Sequence, residues 1–154
     1  MAGFDKIAKD VVAVIERTNT IGITDKDVIA LLRKYVMKAS IYTSMPTSGV
    51  DLVLARRNIT EMFKDINSLL KIGCSDSEVD VIASGIISSL ERDSTAAIAF
   101  AAVKWGNPNN YVAQGALNMS VVQITESACT IYLKSIIRSV NERIELKKAV
   151  NKEL

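Results

Sequence analysis

The chain has 154 residues, 49% of them hydrophobic and 23% charged, and it contains no histidine. Within this chain that excludes histidine general-base catalysis, Ser-His and Cys-His dyads, and histidine-ligated zinc or haem. The net charge of +2 lacks the strongly basic balance of a dedicated nucleic-acid binder.

The length fits one domain over 1–154, with 1–3 and 148–154 expected to fray. A mean hydropathy of +0.21 leaves an apolar excess with three possible homes: a membrane, a large core or an oligomer interface. A span needs about 18 consecutive apolar residues. The run at 79–90 is broken by Asp80 and serines, and the run at 95–103 is too short. No membrane span is expected, so buried helices or an interface remain. The first residues fit neither a signal peptide nor, with Ala2 in second place, a myristoylation site. The expected setting is therefore cytoplasmic, with Cys74 and Cys129 as free thiols.

In chain order, residues 4–18 place Phe4, Ile7, Val11, Val14 and Ile15 on one face of an amphipathic helix. Asn19, Thr20 and Gly22 end it. Thr24 is the expected N-cap of a second helix over 25–42, with Asp25 and Asp27 in its first turn. Its inward residues are Val28, Leu31, Leu32, Tyr35, Val36 and Ala39. Residues 43–49, with Pro46 and Gly49, form a connector. A third helix over 50–71 carries the stripe Val53, Leu54, Ile59, Met62, Phe63, Ile66 and Leu70, and Gly73 is its expected C′ residue.

Ser75-Asp76-Ser77-Glu78 is a capping box, with Glu78 expected to reach the Ser75 amide. The fourth helix follows, with Val79, Ile82, Ala83, Ile86, Ile87 and Leu90 apolar. Gly85 and its serine neighbours give it a small-residue face open to close helix approach. A short fifth helix is expected over 95–105, apolar almost all round and therefore buried. Gly106-Asn107-Pro108-Asn109-Asn110 is a turn, and 111–117 a short helical piece.

The longest element is expected over 119–146, after a break at Gly115 and a cap at Asn118 or Ser120. Cys129, Tyr132, Leu133, Ile136, Ile137, Val140 and Ile144 recur on one face, and Val121, Val122, Ile124, Ala128 and Ile131 on a second. The first face can pack on the chain's own helices and the second on another copy, most simply about a twofold axis. The expected fold is an all-α, single-domain bundle of five to six helices with a long C-terminal helix.

Candidate sites follow from these elements. Trp105 and Tyr111 flank the polar turn and could anchor a partner, because Trp and Tyr dominate interface hot spots. With Tyr132, Ile136 and Val140 of the long helix they form the expected partner-binding set. Arg33, Lys34, Lys38, Arg56 and Arg57 could form one phosphate-holding patch if the second and third helices are adjacent. No glycine-rich phosphate loop and no interleaved aromatics accompany them, so a solvated face is the simpler reading. Asp76, Glu78 and Asp80 resemble the odd positions of a calcium loop but lack its central glycine and terminal Glu. Cys74, just before a helix start, is the better of the two thiols for reactivity. No catalytic, cofactor or metal site is expected. The sequence reads as a non-enzymatic helical protein that self-associates and binds another protein, such as an adaptor, an assembly factor or a phage or viral accessory protein. The alternative is a nucleic-acid-associated regulator using the basic faces.

Overall fold

A computed structural model describes residues 2–43, 50–92 and 111–153, with side chains described over 3–41, 56–90 and 122–152. Five helices run α1 (Ala2–Glu16), α2 (Asp25–Thr43), α3 (Val50–Leu69), α4 (Asp76–Arg92) and α5 (Tyr111–Glu153). No strand occurs among the described residues. The fold is all-α with a long C-terminal helix, as the periodicity requires. The helix expected over 95–105 lies outside the described residues.

Side chains close the helix ends. At the start of α2, Asp27 accepts the Thr24 N–H at 2.9 Å and returns its own N–H to the Thr24 carbonyl at 3.1 Å. At the start of α4, the Glu78 N–H donates to Ser75 Oγ at 3.3 Å and the Val79 N–H to the Ser75 carbonyl at 3.0 Å. The Glu78 carboxylate accepts from the Ser75 hydroxyl at 3.1 Å rather than from the Ser75 amide as expected. At the end of α1, the Ile15 carbonyl accepts from the Thr18 N–H, the Asn19 N–H and the Thr18 hydroxyl. Gly22, at φ 67°, then turns the chain, and Ile21 is buried beside it.

The end of α3 differs from expectation. The Ile72 N–H bonds the Asn67 carbonyl at 2.9 Å and the Lys71 N–H bonds the Ser68 carbonyl at 3.3 Å. These are the two bonds of a Schellman ending, and they make Lys71, not Gly73, the left-handed C′ residue, at φ 54°.

Helices α2 and α3 run antiparallel. A carbonyl points toward its helix C-terminus and a side chain leans toward the N-terminus. The Tyr35 carbonyl accepts from Asn58 Nδ2 at 3.0 Å, while the Tyr35 hydroxyl donates to Asp65. Passing toward the start of α2 thus means passing toward the end of α3.

All four shorter helices pack on α5. Its span over 124–136 buries Ile124, Thr125, Ala128, Cys129, Tyr132, Leu133 and Ile136. Tyr132 stacks on Phe63 of α3, ring centroids 4.2 Å apart and planes 11° from parallel. Ile124 and Ala128, expected on the outer face, are therefore part of the chain's own core. Ile131 keeps an exposed position.

Two further expectations are corrected. Neither Gly115 nor Asn118 breaks α5, which is continuous for 43 residues. One helical glycine costs only about 1 kcal/mol, which a helix of this length sustains. The helix also runs on through 147–153, where Lys152 stands in the last turn beside the C-terminal dipole. Among the described residues no helix packs on Gly85: it is exposed, and a Cβ built there meets nothing within 4 Å. Gly85→Ala is accordingly expected to raise unfolding stability by about 0.5–1 kcal/mol, read from urea titrations of both proteins. A loss of stability would show that a neighbour does occupy that space.

Candidate functional site

The basic residues divide between surfaces. Lys34 and Lys38, one helical turn apart, lie over the Tyr35 ring at 5.5 and 4.9 Å from its centroid. The Lys34 ammonium also sits 4.0 Å from Asp65, so a carboxylate stands among these cations. Arg56 and Arg57 are exposed on α3, and Arg57 adjoins Asn58, whose amide meets the Tyr35 carbonyl. Asn58 thus sets this stretch of α3 beside Tyr35 of α2. Arg33 points elsewhere, sharing the i, i+4 row of the exposed Met37 and Ile41.

Of the residues expected to bind a partner, Trp105 and the side chain of Tyr111 lie outside the described residues; Tyr111 is the first residue of α5. Tyr132 and Ile136 are buried in the chain's own core, where Tyr132 meets Phe63. Val140 is half-buried against that core.

Beyond the core, α5 continues through 141–152 with every side chain exposed except the half-buried Ile144. Leu146 and Val150 are 68% and 54% exposed. One face of α5 here, carrying Lys134, Arg138, Glu142, Glu145, Leu146 and Ala149, is open among the described residues.

A cavity of about 430 Å³ forms where the end of α1, the α3–α4 turn and α5 meet. Ile15, Leu70 and Ile136 are its buried apolar surfaces, and Ser135 and Ser139 add hydroxyls. Among the described residues, Lys71 and Arg143 are its charged lining residues, and no carboxylate lines it. The turn that presents Lys71 and Cys74 is held at both ends, by the Schellman bonds and by Asn67 Nδ2 donating to the Cys74 carbonyl at 3.0 Å. No local spacing signals this site, because its walls come from three separated segments. Of its lining residues, Cys74 had drawn attention in the sequence for its place before a helix start, and Tyr132, Ile136 and Val140 as expected partner contacts.

The two thiols differ. Cys129 is buried, and desolvation pushes its thiol up to about 12, so it is inert near neutrality. Cys74 is half-buried at the cavity wall. Tyr132 is also raised to about 12, by burial first and then by the Cys74 charge, so its hydroxyl stays protonated. Among the described residues no group of three or more His, Cys, Asp or Glu side chains comes together to hold a metal. Among the described helices none is long and apolar enough to cross a membrane.

Cys129 and Tyr132 resist ionisation in the fold but not in the unfolded chain, where they titrate near 9 and 10. The unfolded chain thus loses these protons first. Their contribution to stability is complete below pH 9 and is lost as pH rises from 9 toward 12. Urea titrations across that range are expected to show this fall, and Cys129→Ala is expected to make it shallower. An unchanged slope in that variant would contradict the burial of the thiol.

No family model, no curated protein and no solved structure matches the chain.

Proposed function

We propose that this chain is a non-enzymatic helical interaction protein that self-associates through α5, as an adaptor or assembly factor for another protein would. The observation that carries this reading is the length of α5. At about 1.5 Å per residue its 43 residues extend roughly 65 Å, against roughly 22–30 Å for the four helices of 15–20 residues. Its last dozen residues extend past the packed core with Leu146 and Val150 in water. In water, helices take most of their stability from packing an amphipathic face, so this segment calls for a partner.

The charge order along its open face favours a second copy. Reading along α5, Ile131 is followed by Lys134 and Arg138, then by Glu142 and Glu145, then by Leu146 and Ala149. An antiparallel pairing about a twofold axis near residue 140 sets Arg138 of one protomer against Glu142 of its partner. It also sets Lys134 against the Glu145–Leu146 step and Ile131 against Ala149. An opposite-charge pair near the axis and apolar residues at the ends meet, which suits a self-complementary interface. The nucleic-acid reading has less support, because Asp65 interrupts the cations of α2 and α3.

Sedimentation equilibrium of the full chain is expected to give twice the chain mass of 16.8 kDa. Arg138→Glu sets like charges together and is expected to weaken the dimer roughly tenfold or more. Adding Glu142→Arg should restore it. A monomer at every concentration up to the submillimolar range would end the self-association claim. A dimer indifferent to Arg138→Glu would end the assignment to this face.

A further inference from the structure

The cavity between α1, the α3–α4 turn and α5 has no part in the proposed dimer. Tyr132, Ile136 and Arg143 of its α5 wall lie two positions from Lys134, Arg138 and Glu145 of the open face. Two residues are about 200° around a helix, so these two rows point away from each other.

We propose that this cavity binds an amphipathic anion, an alkyl chain ending in a carboxylate or phosphate group, with the chain on the apolar walls and the head between Lys71 and Arg143. Its volume of about 430 Å³ lies within the range of roughly 300–1,000 Å³ usual for small-molecule sites. Ile15, Leu70, Ile136 and Val140 offer an apolar surface on which an alkyl chain leaves water.

Charge selects the head group. The lining carries two cations and no carboxylate, and neither cation is ion-paired among the described residues. Lys34, Lys64 and Arg138, in contrast, each lie within 4.0 Å of a carboxylate. The ends of α1 and α3 near the cavity add little negative potential, because turn amides cap the Ile15, Asn67 and Ser68 carbonyls. Tyr132 remains a neutral hydroxyl and does not offset the cations.

The backbone singles out Lys71. The C′ position of a Schellman ending favours glycine, and a lysine at φ 54° is strained there. Gly73 stands two residues further on, where no such conformation is required. A cation kept at a strained position on the rim of a cavity lacking anions fits a role in binding.

The test is calorimetric titration of the full chain with decanoate and with decyl phosphate, with decanol as the uncharged control. One anion per chain is expected, with decanol at least about tenfold weaker; the tighter of the two anions distinguishes a carboxylate from a phosphate source. Lys71→Gly and Arg143→Gln are each expected to weaken anion binding by about tenfold. Because glycine relieves the backbone at this position, Lys71→Gly is also expected to raise the melting temperature, which separates lost binding from lost folding. Bound anion should slow alkylation of Cys74 by iodoacetamide, while Cys129, 1% exposed, stays unmodified in either state. Three results would each overturn the proposal: no saturable binding of either anion, decanol binding as tightly as decanoate, or unchanged affinity in Lys71→Gly.

Discussion

The structure depends on burying the middle of one helix. Residues 124–136 of α5 take contacts from four shorter helices, and the Phe63–Tyr132 stack lies where α3 meets that span. A straight helix presents apolar positions on all sides only if something covers every side. Among the described side chains of α5, over 122–152, the four helices of 15–20 residues cover the span to 136 and then run out. Residues 141–152 are surface that the described chain itself does not hide, apart from the half-buried Ile144.

Much of the fold is legible in the sequence because its signals are local. Thr24–Asp27 and Ser75–Glu78 mark helix starts by the bonds their side chains make within one turn. The apolar series of α1 to α3 identify core residues such as Val11, Leu32 and Phe63 because a 3.6-residue repeat leaves one face inward. Glycine is where local reading fails. Gly73 follows a helix end without forming the left-handed step, Gly85 sits in open space, and Gly115 lies inside a helix. Each has the same side chain, and only its neighbours decide what it does.

The candidate sites were less legible for a related reason. Tyr132, Ile136 and Val140 are apolar residues on a helix face, and periodicity alone does not say whether such a face meets its own chain or another. The structure places Tyr132 and Ile136 inside and leaves Leu146 and Val150 outside, in a tail whose low apolar content had suggested fraying. The cavity joins Ile15, Lys71 and Arg143, residues far apart along the chain. Its charge imbalance emerges only once the chain is folded. The charge order from Lys134 to Glu145 was visible all along, yet it acquires meaning only when that face is known to be open.

The central claim is that the last dozen residues of α5 owe their helical order to a second copy of the chain. Amide hydrogen exchange over residues 141–152, followed at increasing protein concentration, tests this most directly. The account predicts weak protection in dilute solution that rises with concentration, while protection over 124–136 stays constant. Protection over 141–152 that is the same at every concentration would contradict it.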